Sequence, residues 1–250
     1  MSAPPNLKAR HPMNTVTEIS PGLTVRDCQP PLRLRDFSLI AFDMDSTLIN
    51  IESVDEIADV VGRKAEVAAI TEAAMRGEIR DYKESLRRRV ALLQGVSEGQ
   101  IDQIYRERLR LNPGAAELVA ACKLAGLKVL LVSGGFTHFT DRVRDHLGID
   151  YARSNVLEVE HGALTGRLLD QAWGDICDGD EKRKMLLETC ALLGIGSHQA
   201  IAVGDGANDL PMMAEAGLSV GFHAKPAVRA VAKVCINSGG LDRLLTLFQP

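Results

Sequence analysis

Three short apolar runs, Leu39-Ile40-Ala41-Phe42, Val129-Leu130-Leu131-Val132 and Ala200-Ile201-Ala202-Val203, each empty directly into polar or glycine-rich sequence. Runs this short are strands rather than typical helices, and their continuous apolar character suits burial on both faces. They lead, in order, into Asp43-Met44-Asp45-Ser46-Thr47, Ser133-Gly134-Gly135 and Gly204-Asp205-Gly206-Ala207-Asn208-Asp209. The segments between are helical in pattern. Pro113 suits the first turn of one helix, Gly126 its stop, and Gly148, Gly194 and Gly217 come after other helical stretches. This alternation predicts an α/β fold, a doubly wound and mostly parallel sheet with functional groups at the carboxyl ends of its strands.

The stretch from about Glu52 to Asn112 interrupts that alternation. Val54, Ile57, Ala58 and Val61 share one helical face, and Val67, Ile70 and Ala74 another. Gly62, Gly77 and Gly95 punctuate the ends, and Ser97 to Gln100 has a capping-box pattern. A small inserted helical cap over 52–112 is expected, between core segments 36–51 and 113–250. Such a cap closes over strand ends and excludes water. Six of the ten prolines fall in the first 31 residues, so 1–35 reads as an extended or mobile leader.

Composition narrows the field. At 250 residues and 46% hydrophobic, the chain can build one substantial core. A net charge of −4 argues against broad nucleic-acid binding, and no apolar stretch approaches a membrane span or a signal-peptide core. Cys28, Cys122, Cys177, Cys190 and Cys235 are scattered without a CxxC, as expected of reduced thiols in the cytoplasm.

Asp43 and Asp45 sit one residue apart at a buried strand end, so strand alternation points both carboxylates the same way. Two like charges there call for a cation or a shared proton, and Mg2+ is the natural hard cation for oxygen ligands. The alternative is a turn or helix cap built from Asp and Ser. In the cap, Arg87, Arg88 and Arg89 resemble a solvated run, but helical geometry separates them. At ~100° per residue, Arg89 falls about 20° from Tyr82 and about 60° from Leu86, while Arg88 projects to the far side. A guanidinium on that less exposed face needs an anionic partner, either an internal acid or a ligand carboxylate. Glu52 enters the cap beside the DMDST loop, where it either favours a helix N-terminus or overlooks the same pocket. Met75 and Tyr82 are pocket-lining or core residues.

DMDST, the strand-terminal Ser133, a basic residue in Asp180-Glu181-Lys182-Arg183-Lys184 and GDGAND look like the four ordered motifs of the haloacid dehalogenase superfamily of phosphotransferases. DMDSTLINIESVDEIA, EAAMRGEIRDYKESLRRRV, VSGGF and AVGDGANDLPMMAEAG are similar to the phosphoserine phosphatases within it, a resemblance that runs from about Phe37 to the C-terminus. It implies a Rossmann-like core and Mg2+-dependent hydrolysis of O-phosphoserine through an aspartyl-phosphate, the last step of serine biosynthesis. Asp43 would be the nucleophile and Asp45 the acid and then the base. Asp43, Asp205 and residue Asp45 through its main-chain carbonyl would hold the metal. Ser133, Gly134 and Asn208 would contact phosphate or substrate, and Lys182 would neutralise the phosphoryl group, with Arg183 and Lys184 as alternatives. Asp209 would orient the lysine or a metal-bound water. Arg89 matches the residue that holds the substrate carboxylate, and Glu52 the one that receives its ammonium. His138, His146 and His161 have no role in this scheme. Two other readings are a sibling phosphatase or phosphotransferase for another small phosphomonoester such as phosphohomoserine, and a non-catalytic Mg2+- or phosphate-binding protein.

Overall fold

The computed structural model describes residues 15–249. The first 14 residues of the expected leader lie outside the described residues. In chain order the strands are β1 (Val16–Ser20), β2 (Leu23–Arg26), β3 (Leu39–Phe42), β4 (Lys128–Phe136), β5 (Tyr151–Glu160), β6 (Ala163–Leu169), β7 (Ala200–Gly204), β8 (Leu218–Phe222) and β9 (Val234–Ile236). The helices are α1 (Ser53–Val60), α2 (Lys64–Met75), α3 (Tyr82–Ala91), α4 (Glu98–Glu107), α5 (Ala115–Leu124), α6 (Thr137–Leu147), α7 (Gly179–Leu193), α8 (Leu210–Glu215) and α9 (Pro226–Arg229).

The strands form one sheet in the order β1-β2-β9-β8-β7-β3-β4-β5-β6. From β3 to β5 the chain steps outward on one side, then returns to β7 and steps outward on the other, all in parallel. The order therefore reverses at β3, which opens a crevice at the carboxyl ends there. Register keeps those ends level: Phe42 pairs with Leu131 of β4 and Val203 of β7, and the Asp43 N–H donates to the Val203 carbonyl at 2.9 Å.

Both faces are covered, which is why the strand runs are apolar throughout. Ile40 and Phe42 pack with Leu118 and Val119 of α5 and Phe139 of α6. Leu39 and Ala41 face Leu186 of α7, Met212 and Met213 of α8 and Val228 of α9. Each large side chain buried this way contributes about 1.5–3 kcal/mol.

Helices α1–α4 stand between β3 and β4. Val54, Ile57 and Ala58 are buried and Val61 partly so; on α2, Val67 is buried and Met75 is 78% exposed. Ser97 and Gln100 form a reciprocal capping box at the start of α4. Among the described residues no helix is long and apolar enough to cross a membrane.

Three local features differ from the sequence pattern. Residues 16–26, expected in an extended or mobile leader, are a hairpin whose β2 pairs antiparallel with β9, with Leu23 opposite Ile236 and Val25 opposite Val234. Leu23 and Val25 alternate into the core, and the two-residue turn Pro21-Gly22 needs the positive φ of Gly22, 75°. Prolines here punctuate a turn rather than mark disorder. Second, Ser133-Gly134-Gly135 is not a turn after β4 but part of it, where pairing with β5 slips between Val132 and Phe136. Third, α5 begins at Ala115 behind Gly114, whose φ is 77°, so Pro113 lies before the helix rather than in its first turn.

Candidate active site

β3, β4 and β7 deliver Asp43, Ser133 and Asp205 to one cavity of about 70 Å³, and α1 and α3 supply its other wall with Val54, Tyr82, Leu86 and Arg89. Asp43 and Asp205 are 5% and 7% exposed, so both carboxylates are taken almost entirely out of water. A fully buried cation answers them: Lys182, on the first turn of α7, places its ammonium 2.7 Å from Asp43 Oδ1 and 2.7 Å from Asp209 Oδ1. Arg183 instead reaches Glu215 and Lys184 the Trp173 carbonyl, both on the surface. α7 is capped by Asp178, whose side chain accepts the Glu181 N–H, and that cap fixes where Lys182 enters.

Asp209 is consumed by this arrangement. Besides Lys182 it accepts the Asp205 and Gly206 N–H groups on Oδ2, each at 3.0 Å, and so orients the loop that carries Asp205. That proximity requires glycine at 204, where a Cβ would lie 2.3 Å from Asp209 Oδ2.

Burial, then the neighbouring Asp209 charge, raises the Asp43 carboxyl well above its ordinary value, against the pull of Lys182. Asp205 is pushed up to about 6, mainly by burial, with Lys225 opposing. For Lys182 burial alone would favour loss of the proton, but Asp209 and Asp43 outweigh it and hold the ammonium charged. Oxygens of Asp43, Asp205 and Asp209 all lie within 4.8 Å of one another. A buried, oxygen-only donor set of three carboxylates, two of which share one enclosed ammonium, fits a hard divalent cation. The Asp45 side chain is outside that cluster, so any share of residue 45 in a cation falls to its main-chain carbonyl.

Asp45 turns its carboxylate to the start of α1, where Oδ2 accepts the Ser53 N–H at 2.8 Å and Oδ1 the Ser53 hydroxyl at 2.6 Å. It thereby satisfies one of the unpaired N–H groups of the helix end. The cap alternative raised by the sequence is thus also true of this residue, without removing it from the cavity. Burial, then the Glu52 charge, pushes its carboxyl up to about 7 against those two hydrogen bonds.

Arg89 donates only to the Ser85 carbonyl, at 3.4 Å, and among the described residues no carboxylate lies within ion-pairing distance of it. Arg88 pairs with Glu84 and Arg87 with Asp175, both away from the cavity. Glu52 accepts a hydrogen bond from the Ser46 hydroxyl at 2.8 Å and lines the cavity with Arg89. Ser133 is fully buried, and its Oγ accepts the Gly135 N–H at 2.9 Å, which leaves its own proton for an anion. Gly134 and Asn208 also line the cavity; His138, His146 and His161 do not.

Two contributors carry no clear signal in the sequence motifs. Lys225, in the loop after β8, reaches Asp205 Oδ2 at 3.4 Å. The strand-then-polar-loop logic applied to the other three strands would find it in Leu218–Phe222 and His223-Ala224-Lys225. Ser53, which holds Asp45, has only a helix-start signal.

A family model for haloacid dehalogenase-like hydrolases matches residues 40–214. A phosphoserine phosphatase of Albidiferax ferrireducens is 80% identical over 234 residues, which span 94% of this chain and 99% of that one. A solved phospho-aspartyl intermediate analogue of phosphoserine phosphatase superposes with a TM-score of 0.78 at 37% identity, covering 85% of this chain and 99% of that one. A substrate-bound phosphoserine phosphatase complex gives a TM-score of 0.78 at 37% identity, with the same coverage.

Proposed function

The chain belongs to the haloacid dehalogenase-like hydrolases, and on that premise we propose that it hydrolyses O-phosphoserine to serine and phosphate through an aspartyl-phosphate, the last step of serine biosynthesis. The observation that carries the reading is one cavity with a paired, preorganised acid–lysine floor and an unpaired Arg89 beside Glu52 on its wall. A phosphate on the floor leaves the carboxylate of an amino acid to Arg89 and its ammonium to Glu52.

Phosphate monoesters hydrolyse extremely slowly, so the site must supply a positioned nucleophile and charge neutralisation. Asp43 attacks phosphorus, splitting one difficult displacement into two easier ones. Lys182 holds Asp43 in place and offsets charge that builds on the phosphoryl group. Ser133 donates a hydrogen bond from its free hydroxyl to a phosphoryl oxygen, with Gly134 and Asn208 completing the cradle. Asp45, whose carboxyl is poised at about 7, gives its proton to the leaving serine oxygen and then takes one from the attacking water. The cofactor is Mg2+, held by Asp43, Asp205 and the residue 45 carbonyl, and when bound it supplies the charge screening that lets a carboxylate meet an anionic phosphate. Five free thiols suit a reducing compartment, and a cytoplasmic location belongs to the same proposal.

The test is phosphate release from phosphoserine, phosphothreonine, phosphohomoserine and sugar phosphates, with and without candidate acceptors and after chelation. Phosphoserine is expected to be fastest, to need no acceptor, and to lose turnover on chelation until Mg2+ is restored. Preference for a sugar phosphate, or release that requires an acceptor, would overturn the substrate assignment.

A further inference from the structure

Sequence pattern makes Tyr82 a pocket or core residue, and the catalytic scheme does not use its hydroxyl. It opens α3, and its ring packs at the margin of the main hydrophobic cluster. A Cβ built on Gly134 would lie 2.4 Å from Tyr82 Oη, 3.6 Å from the ring carbon that carries it and 3.5 Å from the Cys177 carbonyl. The phenol therefore crosses from the helical insert onto the last residues of β4. It borders the same cavity as Asp43, Ser133 and Gly134.

Buried tyrosine hydroxyls normally find a partner. Tyr82 is partly buried, its hydroxyl has no hydrogen-bond partner among the described residues, and it borders the cavity. We propose that the Tyr82 hydroxyl donates a hydrogen bond to a phosphoryl oxygen of the bound phosphomonoester, as a substrate-binding residue supplied by the insert to the phosphate rather than to the amino acid. The inference rests on the phosphomonoester reading of the site but not on serine as the leaving group.

The contact with Gly134 favours phosphate over the carboxylate end. The hydroxyl lies against the Cβ position of Gly134, a residue assigned to the phosphate cradle, and borders the same cavity as the Ser133 hydroxyl, whose lone pair is used by Gly135 and whose proton is free. Burial pushes the phenol up to about 12, so at working pH it is neutral, able to donate without adding charge beside Asp43. Tyr82 and Ser133 would then grip one phosphoryl group from the insert and from the core, so that the phosphate itself draws the insert onto the floor.

The decisive variant is Tyr82→Phe, which keeps the ring and removes only the hydroxyl. A lost hydrogen bond to a charged oxygen corresponds to roughly ten- to a hundredfold. We expect kcat/KM to fall by that factor equally for phosphoserine and for an aryl phosphate, and orthophosphate to bind more weakly by a similar factor in calorimetry. Tm should stay unchanged, because no protein hydrogen bond is lost. A loss confined to phosphoserine would move the hydroxyl to the amino-acid end, and no loss on either substrate would remove it from the site; both overturn the proposal. A wild-type enzyme that ignores phosphoserine but hydrolyses the aryl phosphate would refute the serine reading alone, since the variant is still read on the aryl phosphate and on orthophosphate. The contact itself is checked by Gly134→Ala, which should lower Tm, with Tyr82→Phe restoring it in the double variant. Failure of that restoration would show that the hydroxyl does not lie against Gly134.

Discussion

The strand-end floor and the helical insert handle charge in opposite ways. On the floor the buried groups are tied to one another: one fully enclosed lysine takes Asp43 and Asp209 at 2.7 Å each, and Asp209 also accepts two main-chain N–H groups. In the insert, Arg89 faces the same cavity with one long bond to a carbonyl, while Arg87 and Arg88 beside it are paired. Low dielectric explains the difference. An unpaired charge at zero exposure costs several kcal/mol, so the floor has to be complete before substrate arrives. Arg89 is only partly buried, so it can wait for its partner at little cost. On the proposed function, reactivity would be preorganised at the strand ends and recognition left to the helices between β3 and β4.

The sharpest way to break that division is Asp43→Asn. An amide is a poor nucleophile of nearly the same volume, so turnover should drop by at least ~10⁴-fold for every substrate, without loss of Tm. Substantial residual turnover, once deamidation is excluded by mass spectrometry, would take Asp43 out of the nucleophile role.

Asp45→Asn is expected to cost less, about 10²- to 10⁴-fold on phosphoserine. An aryl phosphate has a better leaving group and should lose less, while phosphoenzyme persists longer in a quench experiment. The pH profile carries the sign. With the Asp45 carboxyl raised to about 7, its acid form dominates below that pH and is lost above it. Wild-type kcat/KM should therefore fall tenfold per unit beyond about pH 7, and the variant should lose that limb. An unchanged limb would assign it to another group.

On the insert side the effects should be smaller and selective. Arg89→Ala should lower kcat/KM for phosphoserine roughly ten- to more than a hundredfold and leave an aryl phosphate nearly untouched. Glu52→Gln should show the same pattern through the ammonium, and Arg88→Ala, paired with Glu84 at the surface, should do little. Equal loss on both substrates with a lower Tm would make Arg89 a structural residue and collapse the distinction between the two regions.

Much of this is legible without coordinates, and most of the exceptions share a cause. The apolar runs ending at Asp43, Ser133 and Gly204 announce buried parallel strands because burial on both faces leaves no polar position in them. The 16–26 hairpin escapes a sequence reading because β2 takes its meaning from a partner more than 200 residues away, and proline-rich flanks conceal its alternation. Ser53 escapes it because it acts through a cross-loop contact that no local spacing encodes, whereas Lys225 stands in a polar loop after a strand, a pattern that is readable but carries no acidic motif.

By itself the sequence determined the strand–helix alternation and the carboxylates at the strand ends, both consequences of short-range periodicity and residue chemistry. Only the tertiary structure decided that, of three adjacent basic residues, Lys182 is the one enclosed between Asp43 and Asp209. It likewise decided that the Asp45 carboxylate holds α1, and that the Tyr82 hydroxyl reaches Gly134 across the cavity. Those outcomes depend on which faces of separate elements are packed together. Packing is a property of the whole core, and it is not written in any one segment.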